Sequence, residues 1–303
     1  MRNIDLESLH IFKAVVDHGG ITRAAAQLNR VQSNITTRIK NLEERLGVQL
    51  FQRRAGKLVL SAEGSVLLAY AEQLLRLSTE AENALRSGTP RGTLRIGTME
   101  STAAARLPPL LAQYHRSYPD VQIELATGTS GGLVERVHRF EVEAAFVAEP
   151  FQAADLDMIE VFTEELVLIA ARHAPRIESA KDVQKRTLIA FSSGCSYRRI
   201  LEEWLGMSSV MPARVLELAS YHAIVACVAA GSGIAIVPRS VLGVVRADED
   251  VAVFALPPTV ARARTCLVWR RGHQSVALEA MKQLLLDRKN AAESAQVEMR
   301  SAA

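Results

Sequence analysis

The sequence predicts an α/β protein overall: an N-terminal all-α winged helix-turn-helix, a long linker helix, then a larger α/β domain. Three observations predict it. Apolar residues recur at helical spacing from Leu6 to Leu46, a basic hairpin around Gly56 follows, and from Thr93 onward short apolar runs alternate with helical ones.

Leu6, Leu9, Phe12 and Val16 give a first amphipathic helix that ends at Gly19-Gly20. Thr22 offers an N-cap oxygen for a very short second helix, where Ala24 and Ala25 permit the close approach of a steep crossing. Asn29-Arg30 breaks the pattern, and a third helix carries Ile35, Ile39, Leu42 and Leu46 as one apolar stripe. Its opposite face holds Ser33, Thr36, Thr37 and Lys40, with Gln32, Asn34 and Arg38 at the edges and no acid before Glu43. Such a face can enter a major groove without repelling phosphates, and its amides and hydroxyls can hydrogen-bond base edges. A solvated face is the commoner fate of a polar stripe, so the context decides. After Gly47, two short strands flank Ala55-Gly56, and Arg53, Arg54 and Lys57 put three cations at the tip of a wing. A wing of that charge can lie on a DNA backbone or in a minor groove.

Ser61 is a good N-cap for a long helix running to about Leu85. Leu67, Tyr70, Leu74, Leu77, Ala81 and Leu85 alternate three- and four-residue steps, flanked by Glu72, Arg76, Glu80 and Glu82. That is an a/d seam suited to pairing between chains, although a helix packed on its own domain gives a similar period. Ser87-Gly88-Thr89-Pro90-Arg91-Gly92 then reads as a hinge.

Beyond the hinge, Leu94 to Gly97, Val121 to Leu125 and Ala144 to Val147 read as strands, with helices over Ala103 to Tyr118 and Leu133 to Arg139. Later strands are expected at 165–171, 187–191, 214–218 and 233–237, which together predict mostly parallel sheets. Open α/β sheets bind ligands at strand ends. The loops there hold Glu100, Ser101 and Thr102, then Thr129 and Ser130, then Ser193 and Cys195, then Ser220 and Tyr221. Hydroxyls and free helix N–H groups converging on one cleft suit a small polar metabolite. Each Ser or Thr taken alone is more often a plain helix cap. Glu100 is an acid in the first of these loops and favours a cationic effector such as an amine or polyamine.

The stretches Phe12 to Ala25, Gln32 to Glu43, Leu46 to Arg53 and Leu60 to Gly64 closely resemble the LysR-type transcriptional regulators, and the likeness continues through the second domain. The resemblance implies a two-lobed effector domain like a periplasmic binding protein. It implies a DNA-binding domain over 1–61, a linker helix and hinge over 62–91, and an effector domain over 92–296. The first lobe takes 92–162 and 265–296, the second 163–264, and 297–303 is expected to fray. Gln32, Ser33, Thr36 and Arg53 are carried over as DNA contacts, with Thr37 and Lys40 added from helical geometry and Arg54 from the wing. The partners implied are a pseudo-palindromic double-stranded operator, a small-molecule effector (an amine or a small carboxylate), RNA polymerase and further copies of the chain, as a dimer or tetramer. One departure stands out: Val31 begins the recognition helix and has no side-chain oxygen for an N-cap, and Ser33 replaces a first-turn proline.

Composition agrees with this organisation. The 303-residue chain is 49% hydrophobic and 23% charged, ordinary for a globular protein with sizeable cores. Its net charge is only +3, but residues 1–64 hold ten Lys/Arg against six Asp/Glu, so a polyanion partner is expected for the N-terminus alone. No apolar run is long enough to span a bilayer, and no export signal precedes the first helix, so a cytoplasmic protein is expected. That argues against a transport-type solute-binding protein. Three widely spaced cysteines make neither a disulfide framework nor a metal site. Cys195 sits before a helix whose N–H groups would lower its pKa, which raises a redox-sensing alternative, but no resolving cysteine occurs before Cys227. No nucleotide-binding glycine motif, nucleophile elbow or histidine pair points to an enzyme, a cofactor or a metal.

Overall fold

The computed structural model describes residues 4–54, 57–85, 89–152, 154–247 and 249–301. Contacts divide the chain into two compact units, Met1–Ser87 and Gly88–Ala303.

The first unit opens with α1 (Leu6–Asp17), α2 (Ile21–Gln27) and α3 (Gln32–Leu46). Asp5 caps α1, accepting the Ser8 N–H at 2.8 Å. The second helix starts two residues earlier than expected. Gly20 is its N-cap and Thr22 lies inside the first turn, because the positive φ angles of Gly19 and Gly20 turn the chain straight into the helix. Asn29 takes a left-handed φ of 51° between the second and third helices. Leu9, Phe12, Ala24, Ala25, Ile35, Ile39 and Leu42 close the core, as their spacing predicts. β1 (Phe51–Arg54) and β2 (Lys57–Leu60) pair antiparallel with Arg54 opposite Lys57. The Ala55-Gly56 turn lies outside the described residues.

α4 (Ala62–Leu85) is the 24-residue linker helix, and Ser61 caps it by accepting the Gly64 N–H at 2.8 Å. Two faces of this helix do different things. Leu67, Leu68, Ala71 and Leu75 pack on the small core, so Leu67 belongs to its own domain rather than to an intermolecular seam. Tyr70, Leu74, Leu77 and Leu85 stay exposed, with Tyr70 60% and Leu77 58% accessible. Of the expected hinge, Ser87 and Gly88 lie outside the described residues.

The second unit begins with β3 (Gly92–Thr98), α5 (Glu100–Ala105), α6 (Leu107–Ser117), β4 (Val121–Thr127), α7 (Ser130–His138) and β5 (Ala144–Ala148). The single helix expected over 103–118 is two. It breaks at Arg106 because Pro108 and Pro109 fit only a helix's first turn, where their missing N–H groups cost nothing. The 16-residue strand β6 (Leu156–Ala171) comes next, and sequence reading found only its end. There follow β7 (Thr187–Ala190), α8 (Ser196–Met207), β8 (Arg214–Glu217), α9 (Tyr221–Ala229), β9 (Ala235–Pro238) and α10 (Arg239–Val245). The unit closes with β10 (Val251–Ala255), β11 (Arg262–Arg270) and α11 (Val276–Ser301). The segment expected to fray continues as helix to Ser301.

Two lobes result. In the first, β4, β3 and β5 run parallel, β11 pairs antiparallel with β5, and the first half of β6 pairs antiparallel with β11 and so runs in the same direction as the other three. The second half of β6 enters the other lobe, where it pairs antiparallel with β9 and β10. The sheet is therefore mixed rather than mostly parallel. β6 serves both lobes, and the returning β11 lies antiparallel beside it. Leu94, Ile96, Leu107, Tyr114, Phe146 and Trp269 fill the first lobe's core. Tyr114 donates its hydroxyl to the Ala277 carbonyl at 2.8 Å, tying the last helix to that core.

Candidate nucleic-acid interface and effector cleft

The third helix buries Ile35, Ile39 and Leu42 and turns Gln32, Ser33, Thr37 and Lys40 to solvent. Thr36 is half-buried and donates its hydroxyl to the Gln32 carbonyl at 2.9 Å, which leaves its oxygen as an acceptor. Arg38 is drawn off the face by Glu7, at 3.0 Å. Val31, with no capping oxygen, is 69% exposed, and the helix begins after it without a side-chain cap bond. Arg53 and Arg54 are exposed on the first wing strand.

The wing is held at its base by one residue. Leu50 donates its N–H to the Glu43 carboxylate at 2.7 Å and accepts the Ser61 N–H at 3.0 Å, so it bonds to both the recognition helix and the entry to the linker helix. Glu43 is buried and also accepts from Phe51 at 3.3 Å. The sequence marks Glu43 only as the first acid on the helix; its role is to aim the wing.

In the second unit, α5, α7, α8 and α9 bring their N-termini to one small cavity of about 20 Å³. Glu100, Ser101, Thr129, Ser130, Cys195 and Tyr221 line it, together with Met99, Phe191 and Tyr197. The lobes also touch directly. Gly131 donates to the Gly194 carbonyl at 3.1 Å, and Ser196 Oγ donates to the Ala148 carbonyl at 2.6 Å. Gly194 has a φ of +92°, and a Cβ there would stand 3.0 Å from Thr129 Oγ1, so only glycine allows this approach.

The hydroxyls divide by what already holds them. Thr129 accepts the Gly132 N–H as a helix cap, and Ser130 accepts the Ala148 N–H at 3.1 Å. Ser101 Oγ, the Tyr197 hydroxyl, Thr265 Oγ1 and Glu100 Oε2 are buried without hydrogen-bond partners among the described residues. Burial raises the Glu100 pKa, opposed by the Tyr221 backbone N–H and the charge of His222. Burial also holds the Tyr197 and Tyr221 phenols above their ordinary range. The sign of Glu100 matters for any guest. A helix N-terminus favours an anion by about 0.3–1 kcal/mol, whereas like charges about 4 Å apart at an effective dielectric of about 20 repel by about 4 kcal/mol.

Comparison with known proteins settles the family. A model of the LysR substrate binding domain matches residues 87–290, and one of the bacterial regulatory helix-turn-helix protein, lysR family, matches residues 6–65. The chain belongs to the LysR family of transcriptional regulators. Among its relatives, the uncharacterised HTH-type transcriptional regulator YusT of Bacillus subtilis (strain 168) is 38% identical over 264 residues, covering 87% of this chain and 88% of YusT. The regulator GltR of the same organism is 38% identical over 240 residues, covering 79% of this chain and 81% of GltR. The structure of full-length CbnR complexed with target DNA superposes with a TM-score of 0.69 at 23% identity, covering 94% of this chain and 99% of CbnR.

This LysR regulator thus has a helix-turn-helix domain and an effector-binding domain, and some expected cleft residues fall elsewhere. Thr102 is buried in its short helix and Ser220 is a half-buried cap position; neither lines the cavity. Ser193 lines another, larger cavity of about 370 Å³ with Gly131, Pro150, Phe151 and Arg199. Phe191 and Tyr197 were missed, since an aromatic at a strand end or in a first turn reads as core. Ser196 also was not singled out, although its hydroxyl bridges the lobes. Cys195 corrects another expectation. Burial raises its pKa, outweighing the Arg198 and Tyr197 N–H groups and the Arg198 charge that lower it. Its thiol is therefore expected to alkylate more slowly with iodoacetamide at neutral pH than the same cysteine in the unfolded chain, as read by peptide mapping. Faster labelling would restore a redox role.

Proposed function

We propose that this regulator binds a pseudo-palindromic operator through paired helix-turn-helix domains, and that a small molecule held between the effector lobes controls the binding or bending of that DNA. The carrying observation is the acid-free exposed face of Gln32, Ser33, Thr37 and Lys40 beside the wing cations Arg53 and Arg54. Thr36 adds an acceptor at the edge of that face. The exposed stripe of Tyr70, Leu74, Leu77 and Leu85 supports a dimer through the linker helix, and effector domains associating further would give a tetramer. The division into DNA-binding (1–61), linker (62–91) and effector (92–296) segments belongs to this reading. So does a working place in the cytoplasm with the chromosome and polymerase, and so does the absence of an enzymatic step. An effector switches the protein only if it binds one arrangement of the lobes better than the other.

The test is fluorescence anisotropy of the full chain on fragments flanking its own gene, with and without added metabolites. Saturable, salt-sensitive binding to one fragment is expected, shifted by one class of compound. Absence of any preferred fragment would count against the operator reading. Arg53→Ala should weaken binding to every sequence and flatten the slope of log K against log salt by about 0.9 per bound protomer, hence about 1.8 for the dimer, one phosphate's worth from each copy. An unchanged slope removes Arg53 from the phosphate contacts.

A further inference from the structure

We infer that the small cavity receives a protonated amine, its ammonium group seated against the Glu100 carboxylate beside Tyr197, Tyr221 and Phe191. This rests on the effector reading above and names the chemistry of the group bound there.

The cavity's polarity carries the inference. Glu100 Oε2 lines it, buried and without a hydrogen-bond partner among the described residues. The Ser101 and Tyr197 hydroxyls are buried beside it, near enough to interact with each other but in no well-formed hydrogen bond among the described residues, and their oxygens are neutral acceptors for N–H donors. The Phe191 and Tyr221 rings stand 4.9 Å apart at 59°, and aromatic faces carry the negative side of a quadrupole that attracts cations.

Neighbouring guanidinium groups are committed elsewhere. Arg106 is held by Glu164, and Arg198 by Glu202 and Glu217. His222, exposed on the ninth helix, is the base whose charge reaches Glu100. A carboxylate guest would have to sit beside Glu100, whose negative charge offsets what the helix N-termini offer an anion. A cation reverses the sign of the same contact and fills the vacant acceptors. The cavity of about 20 Å³ has room for an ammonium head alone, so the rest of a longer amine would extend beyond it.

The experiment is calorimetric titration of the full-length protein with methylammonium and putrescine chlorides, and with sodium acetate and succinate, at matched ionic strength. Saturable binding of an ammonium probe is expected. Glu100→Gln should weaken it at least tenfold while the ligand-free melting curve stays in place, and Tyr221→Leu should weaken it too. Wild-type affinity in Glu100→Gln, or failure of both ammonium probes to bind, would overturn the inference. If acetate or succinate binds instead, and Ser101→Val abolishes it, the ammonium is overturned and the effector reading stands. If neither class binds and Ser101→Val leaves the operator response to every metabolite unchanged, both are overturned.

Discussion

Gly64→Ala is expected to destabilise the DNA-binding unit by about 3 kcal/mol, at the upper end for an overpacked site, and to weaken operator binding along with it. A Cβ on Gly64 would stand 2.1 Å from the Leu50 carbonyl oxygen and 3.0 Å from its carbonyl carbon. Backbone faces backbone there, so no side chain can swing aside. The displaced atom is also the acceptor of the Ser61 N–H, and Leu50's own N–H is held by Glu43. Relief therefore means lifting the linker helix off the wing, which moves Arg53 and Arg54 relative to the recognition helix. The measurement is the melting transition of the first unit, because the two units need not unfold together. Gly206→Ala is the control: nothing lies within 4 Å of its Cβ position, and it sits in a helix, so alanine should be neutral or stabilise by up to about 1 kcal/mol. A Gly64→Ala protein that melts and binds like wild type would show that the wing and helix separate freely.

The second large effect is expected at Arg106. Its Nε and Nη2 donate to the two oxygens of Glu164 at 2.6 and 3.0 Å, and Ser240 adds a third donor at 2.7 Å. Glu164 is only 3% exposed and lies on the strand that passes from one lobe to the other. Removing one partner of a buried pair leaves a charge uncompensated, at a typical cost of about 3–5 kcal/mol. Arg106 is itself about one-third exposed, so Arg106→Ala should cost about 2–3 kcal/mol, read from denaturant unfolding of the effector unit. Replacing both, as Arg106→Met with Glu164→Met, should recover most of that loss, since no unpaired charge remains. A loss under about 0.5 kcal/mol for Arg106→Ala would mean water already satisfies Glu164. The pair, with Ser240, ties the end of α5 and the start of α10 to the strand that both lobes share.

Much of the molecule was legible in the chain. Short-range periodicity placed all three N-terminal helices, since Leu9, Phe12, Ile35, Ile39 and Leu42 recur on single faces and an apolar face must be buried. The parallel strands of the first lobe were equally plain, because Ile96, Ala144 and Phe146 sit in short apolar runs bounded by turns. The long strand β6 was not. Its first half sets Asp157, Glu160 and Glu164 among apolar residues and reads as loop, whereas β10 is a short all-apolar run, Val251 to Ala255, whose type local periodicity does not decide. Strand direction was also hidden, since nothing local says that β11 returns antiparallel between β5 and β6.

At the site the division is similar. Residue types and spacing marked the polar face of the third helix, the wing cations and the loops that hold Glu100, Ser101, Thr129, Ser130, Cys195 and Tyr221. The tertiary structure decided which of those groups are spent and which are left over. Thr129 and Ser130 are bound by backbone N–H groups, whereas Ser101 Oγ and Glu100 Oε2 have no hydrogen-bond partner among the described residues, and a hydroxyl's partner is set by what folds against it. Burial likewise reversed the expected effect on Cys195, because desolvation depends on every neighbour and a helix N-terminus only on one. Pattern along the chain determined the elements and the family, since each depends on residues near in sequence. Glu43 aiming the wing, Gly64 admitting Leu50 and four helix ends closing on one cavity came only from long-range contacts, which local spacing does not encode.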